Sequence, residues 1–284
     1  MTVFLVASAE PRAGRSLVAA GLAYRLARDG VPVTLARLAG GDSAEPDANA
    51  FASIEYMNAP ASPVTPDDVK SLTGDLVLEA PSGSVKELAS VLGARVIAVG
   101  GAKSGATDVS GDALLGRIVT RVPAAGADTI RERSGVLAVL IEDAILAVPS
   151  VDDIAATLGA RWLHRPDEPV PVDRIMLGTV ASDAGSPYFA NRQRTCVITR
   201  FDKTDIQLAA LLTDLRCMVI TGGGEPSPYL LDRVRGRRDE VAVLTVDGST
   251  VDTMAAIEDL YGQSRFAGES KLERVVAMLD EAGV

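Results

Sequence analysis

Short apolar runs alternate with helically spaced apolar positions from the first residues onward. Residues 3–7 read as a buried strand. Over residues 16–28, Leu17, Ala20, Gly21, Tyr24 and Ala27 recur at helical spacing, and Gly30 supplies a C-terminal stop. Further apolar runs at 31–38, 76–79, 96–100, 117–122 and 136–141 predict more strands, with helical or loop segments between them. Parallel neighbours need a crossover connection, so this alternation predicts a parallel sheet covered by helices.

The pattern changes near Pro149. Ser150 is placed to cap a helix that has Asp152 and Asp153 in its first turn. Residues 165–171, rich in Pro, Asp and Glu, read as a loop. Apolar runs at 175–180, 196–199, 218–221 and 241–246 follow, with helical stripes at 205–215, 228–235 and 251–260. A last stretch, 270–282, sets Leu272, Val275, Val276 and Leu279 on one stripe. The expected fold class is α/β throughout, in two domains spanning 1–148 and 149–284, with no internal repeat.

Composition narrows this picture. A chain of 284 residues suits two domains of roughly 100–200 residues each. Aromatics are only 4%, so the cores must be built from Val, Leu, Ile and Ala, the palette of parallel sheets. The net charge of −10 gives no broad basic footprint, which argues against nucleic-acid or anionic-membrane partners. Arg233, Arg235, Arg237 and Arg238 form a local basic cluster that reads as a solvated helix end. Cys196 and Cys217 sit in apolar runs and read as buried small hydrophobes. The single His164 argues against a His-rich metal centre or a His-based triad. No apolar run nears the roughly 20 residues of a membrane span, and no signal-peptide pattern opens the chain. A cytoplasmic location is expected.

The chemistry-bearing segment is Ala9-Glu10-Pro11-Arg12-Ala13-Gly14-Arg15-Ser16, placed after a strand and opening a helix. This is the context of a phosphate-binding P-loop, G-x-x-x-x-G-K-[ST], with Ala9 for the first Gly and Arg15 for the Lys. Gly14 lets backbone approach a phosphate, and the helix N-terminus favours an anion. Ser16, Asp47 and Glu79 offer three oxygens at successive strand ends, where ligands bind in open parallel sheets. Together they would suit a hard cation that bridges nucleotide phosphates.

These segments resemble dethiobiotin synthetase over roughly residues 1–150. The resemblance runs through Gly14-Arg15-Ser16, Arg37, Asp47-Ala48, Ala61-Ser62-Pro63, Leu76-Val77-Leu78-Glu79 and Arg117-Ile118-Val119-Thr120-Arg121-Val122-Pro123. In that family the P-loop binds ATP, and the Ser/Thr, Asp and Glu hold Mg²⁺. A Lys at the place of Arg37 helps bind the diamine-derived carbamate, and an Asn at the place of Thr120 reads adenine. Here both lysines are arginines and the Asn is Thr. Arginine is a broad planar fork where lysine is a compact point charge, and Thr cannot offer the paired amide groups of Asn. The departures imply a retained fold with altered or lost chemistry.

The second half resembles the DRTGG domain, which accompanies a dethiobiotin-synthetase-like domain in the N-terminal half of some long phosphate acetyltransferases. The matching segments are Val151-Asp152-Asp153-Ile154-Ala155, residues 175–180, residues 197–206, and Met218-Val219-Ile220 followed by Thr221-Gly222-Gly223-Gly224. The acetyltransferase catalytic domain has no counterpart here. Arg200, Asp202, Lys203 and Asp205 sit at a strand's carboxyl end, and Thr221-Gly222-Gly223-Gly224 occupies the same place one strand later. Backbone amides freed by the three glycines could receive an anion or nucleotide.

The expected function is therefore a regulatory or ligand-sensing protein with a degenerate P-loop and little or no ATP turnover. Its expected binding residues are Gly14, Arg15, Ser16, Arg37, Thr120, Thr221, Gly222 and Gly223. Its expected metal ligands are Ser16, Asp47 and Glu79, around ATP or another nucleotide with a weakly or vestigially held Mg²⁺. No catalytic residue is assigned. A homodimer is expected from both resemblances, and a protein partner fits the Ala/Val-rich faces. The competing reading is an active ATP/Mg²⁺-dependent ligase resembling dethiobiotin synthetase or cobyrinate diamide synthase.

Overall fold

The computed structural model describes residues 1–41, 43–83, 85–103, 107–167, 170, 172–178, 193–237, 241–262, 266 and 268–284. The chain divides into two compact units. One holds residues 1–143 together with 271–284, and the other holds 144–270.

In the first unit, β1 (Val3–Ala7) leads into α1 (Arg15–Arg28), then β2 (Val33–Arg37) and α2 (Ala44–Ala52). Next come β3 (Asp75–Glu79), α3 (Lys86–Leu92), β4 (Arg95–Gly100), β5 (Leu114–Val122), α4 (Ala127–Arg131) and β6 (Val136–Ile141). The strands form one sheet in the order β2-β3-β1-β4-β5-β6, and every pairing is parallel. The apolar runs specify this arrangement because strands covered on both faces have no polar face to alternate with. Leu5, Leu35, Leu76, Leu78, Val96 and Ile118 are all buried. The strand order reverses at β1, with β3 and β2 to one side and β4, β5 and β6 to the other. Such a switch opens a crevice at the carboxyl ends of the strands.

The second unit begins with α5 (Ala144–Ala147) and α6 (Val151–Leu158), followed by β7 (Arg161–His164), β8 (Arg174–Leu177) and β9 (Thr195–Arg200). After these come α7 (Thr204–Leu211), β10 (Leu215–Thr221), α8 (Pro228–Arg235), β11 (Ala242–Thr245) and α9 (Thr250–Glu258). Ser150 caps α6 as its sequence predicts, accepting from the Asp153 amide at 3.1 Å. The sheet order is β7-β11-β10-β9-β8. Only β7 runs antiparallel, on the edge, and its short half-buried sequence carries no apolar run that would announce it. Alternate residues of β9 and β10 face opposite layers. Val197, Met218 and Ile220 pack with Ile206, Leu230 and Val234 on one face. Cys196, Ile198, Cys217 and Val219 pack with Ile154 and Ile257 on the other. Both cysteines are free and fully buried, as expected of small hydrophobes. The strand expected at 175–180 is seen as far as Leu177, and residues 179–180 lie outside the described ones. Arg238 of the basic cluster also lies outside them. Arg233, Arg235 and Arg237 are engaged by Tyr229, Asp232 and the Leu211 carbonyl.

The last helix, α10 (Glu269–Ala282), departs from the expected division at 148/149. Its body packs in the first unit rather than the second. Gly21 on α1 makes room for it: a Cβ there would stand 2.9 Å from Leu279 and 3.0 Å from Val275. Asp280 then pairs with Arg25 at 2.7 Å and with Arg28 at 2.8 Å. The amphipathic stripe of residues 270–282 specifies a helix, but it does not say which core receives it.

Candidate functional site

The loop after β1 turns into α1 through Gly14, whose φ of 86° is a left-handed conformation that only glycine adopts cheaply. No side chain caps α1. Among the described residues, the amides of Gly14, Arg15 and Ser16 donate to no carbonyl. The loop is braced from β5, where Thr120 Oγ1 donates to the Ala13 carbonyl at 2.9 Å. Thr120 thus supports the loop's backbone, and its only hydroxyl proton is spent there.

Behind the loop, four charged side chains converge. Register does this work: Arg37 on β2 pairs with Glu79 on β3, and Glu79 pairs with Val6 on β1. Arg37 and Glu79 therefore end their strands at one level. Asp47 comes from α2, a short helix where the sequence reads only as a polar stretch, and it is buried because Phe51 and Ala48 anchor that helix in the core. Arg37 Nε lies 3.5 Å from Asp47 Oδ2 and 3.9 Å from Glu79 Oε2. Its two remaining nitrogens donate to the carbonyls of Leu38 and Gly40. Ser16 Oγ donates to Glu79 Oε1 at 3.0 Å.

Arg15 does not point along the loop. Its guanidinium turns into the strand ends, donating to the Ala80 carbonyl at 2.9 Å and to Ser82 Oγ at 2.8 Å. Its Nε lies 3.8 Å from Glu79 Oε1. The expected metal ligands Ser16, Asp47 and Glu79 are thus brought together, but with two arginines among them. Burial pushes the Glu79 carboxyl up to about 7, reinforced by Asp47 and opposed by Arg37, Arg15 and the Ser16 hydrogen bond. Burial also lowers the Arg15 guanidinium from its usual value, with Glu79 opposing.

The glycine run of the second unit behaves differently. Gly222 N donates to the Gly248 carbonyl at 2.9 Å, and Gly223 N donates to the Val246 carbonyl at 3.1 Å. These amides, expected to receive an anion, are spent within the protein. Thr221 Oγ1 shares a hydrogen bond with Thr250 Oγ1 at 2.7 Å. The run of glycines has a packing cause. A Cβ on Gly224 would stand 2.3 Å from the Phe201 ring, and one on Gly222 would stand 3.3 Å from it.

A cleft of about 600 Å³ instead opens beside these residues, at the carboxyl ends of β8 and β9. Leu177, Thr199, Lys203, Ile206, Thr250 and Met254 line it. Among the described residues, the Lys203 ammonium has no ion pair, whereas Arg200 is held by Asp202 at 3.0 Å. Sequence reading missed this cleft. Its legible signals are Arg200 and Lys203, set in sequence at the carboxyl end of an apolar strand, and the spacing of Thr250, Met254 and Glu258 along a single face of α9. Among the described residues, no cluster of three or more His, Cys, Asp or Glu could hold a metal ion. None of the described helices is long and apolar enough to cross a membrane.

Comparison with known proteins matches residues 153–260 to the DRTGG domain. Among solved structures, the chain aligns with the CBS and DRTGG domains of the regulatory region of Clostridium perfringens pyrophosphatase, complexed with its activator diadenosine tetraphosphate. That alignment has 15% identity and a TM-score of 0.38, covering 57% of this chain and 71% of the other. A likeness at that level fixes no correspondence between individual residues of the two chains.

Proposed function

Residues 153–260 carry a DRTGG domain, and from that premise we propose that the protein is a ligand-sensing regulator whose first unit binds a phosphate-bearing ligand without turning it over. The observation that supports this is the orientation of Arg15. Phosphoryl transfer is mainly positioning and electrostatic stabilisation of the moving phosphoryl group, and the P-loop cation is one of its recurring parts. Here that cation is hydrogen-bonded to the Ala80 carbonyl and Ser82. The backbone half of an anion site is kept, in the left-handed Gly14 and the uncapped N-terminus of α1. The cleft lined by Thr199, Lys203 and Met254 is the second unit's place for a small ligand, and its volume lies in the usual range of roughly 300–1,000 Å³.

The competing ligase reading draws on the convergence of Ser16, Asp47 and Glu79. A phosphate-release assay with ATP and Mg²⁺, run beside calorimetric titration with inorganic phosphate, separates the two. The regulator reading expects phosphate or nucleotide binding with turnover far below about 1 s⁻¹. Turnover at or above that rate would establish the enzyme reading. Binding of neither ligand would leave the loop purely structural. A two-fold homodimer with an isologous contact belongs to the same reading, and light scattering across a wide concentration range tests it.

A further inference from the structure

The motifs of the first unit resemble those of a magnesium-dependent family, which implies a divalent ion between Ser16, Asp47 and Glu79. The side chains present do not fit one. Mg²⁺ requires oxygen ligands at about 2.0–2.1 Å in near-octahedral array. The space between the two carboxylates holds the Arg37 guanidinium, with Nε 3.5 Å from Asp47 and 3.9 Å from Glu79. This guanidinium is not a mobile surface group. It is 1% exposed, and it is tied down by donation to the Leu38 and Gly40 carbonyls. Register with Glu79 sets its height on the sheet. The Ser16 hydroxyl, the third expected ligand, donates its proton to Glu79 Oε1. Arg15 adds a second buried cation 3.8 Å from Glu79. Two guanidinium groups against two carboxylates leave no net negative charge to offset the dehydration of a divalent ion.

Two buried atoms mark the same point: Arg37 Nε and Glu79 Oε2 face each other without completing a hydrogen bond to any described residue. Their contact is a charge contact, of the kind a metal–carboxylate pair would otherwise supply.

We infer that Arg37 is the resident cation of this site, standing in the position of a divalent metal. Asp47 and Glu79 consequently bind no divalent ion, and a phosphate-bearing ligand at the loop after β1 is taken up metal-free. The second consequence rests on the anion-binding reading above; the first does not. Arginine suits the role because its guanidinium keeps its charge when buried and its fork can bond carbonyls and face carboxylates at once.

The experiment uses the full chain. Mn²⁺ binding is followed by electron paramagnetic resonance, and ATP binding by calorimetry in EDTA and again in excess Mg²⁺. Wild type is expected to show no Mn²⁺ signal that Asp47→Asn removes, and ATP affinity is expected to differ by less than about tenfold between EDTA and Mg²⁺. Arg37→Ala is expected to gain a Mn²⁺ site that Asp47→Asn then abolishes. A wild-type Mn²⁺ site that depends on Asp47 would overturn the inference. So would an ATP affinity raised tenfold or more by Mg²⁺, or a folded Arg37→Ala that gains no metal. If Arg37→Ala does not fold, the wild-type measurements decide alone. If wild type binds no ATP in either buffer, the anion-binding reading fails, while the Mn²⁺ result still decides the role of Arg37.

Discussion

The loop after β1 and the loop after β10 look alike in the sequence. Each follows a buried parallel strand, and each carries glycine where backbone would have to approach a ligand. Their amides have opposite fates. At Gly14 the chain enters a helix with no side-chain cap, and the first amides have no carbonyl partner among the described residues. At Gly222 and Gly223 the amides are donated to Gly248 and Val246, and Gly222 and Gly224 leave room for the Phe201 ring to lie over the turn. A glycine run therefore announces a close approach but not what approaches. In the first unit the space beside Gly14 stays open, its nearest neighbour being Thr120 at 3.8 Å, and in the second the protein's own ring fills the space beside Gly224.

The largest effect that sharpens this contrast comes from pH. Glu79 titrates near 7 in the fold against an ordinary 4.5, so the folded first unit holds a proton that the unfolded chain releases. Its contribution to stability is full below pH 4.5 and is lost as pH rises through 7. At about 1.4 kcal/mol per unit this amounts to roughly 3 kcal/mol. Hydrogen exchange at β1 and β3 is expected to show that decline between pH 4.5 and 7, and Glu79→Gln is expected to flatten it. An unchanged slope in the variant would remove Glu79 as its source.

Next in size is Gly224→Ala. The added Cβ would meet three atoms of the Phe201 ring at 2.3–2.5 Å, and overpacking of this kind costs about 1–3 kcal/mol. The chain's one tryptophan, Trp162, lies in the second unit. Its fluorescence during urea unfolding reads the loss directly. A midpoint equal to wild type would mean that the ring is not held over the turn.

Gly14→Ala is expected to cost less, since its Cβ would come no nearer than 3.8 Å to Thr120. Only the left-handed backbone is penalised, by about 1–2 kcal/mol. Phosphate binding should nevertheless be lost while the Trp162 transition stays in place. The two glycine variants would then break the comparison cleanly, one costing fold and the other costing ligand.

The smallest effect is expected at Asp280. Its ion pair with Arg28 is exposed and screened by salt, and its pair with Arg25 is half-buried. They hold its carboxyl down at about 2 against an ordinary 3.8. Their contribution is present above pH 3.8 and fades as pH falls through 2. Asp280→Asn should shift the first unit's unfolding only slightly, and less at high salt. A large, salt-independent shift would show that packing at Gly21, rather than the ion pairs, had been disturbed.

Much of the fold was legible because burial on both faces writes each parallel strand as a continuous apolar run, and helix signals such as Ser150 and Gly30 are local. The edge strand at Arg161–His164 was not legible, since a short half-buried strand lacks such a run. The short helix that carries Asp47 was hidden for a similar reason, having little apolar surface beyond Ala48 and Phe51.

The sequence by itself determined the alternation of strands and helices, the placing of Gly14, Arg15 and Ser16 where a helix opens after β1 and of Arg37 and Glu79 at strand ends, and the burial of both cysteines. These follow from periodicity and from single-residue conformational preference, which act over a few residues. Only the tertiary structure decided that α10 returns to the first unit, that Arg15 bends into the strand ends, and that Arg37 sits between Asp47 and Glu79. Those outcomes depend on strand order and register, which bring residues dozens of positions apart to one level, and on the burial of charges that must find partners wherever the fold provides them.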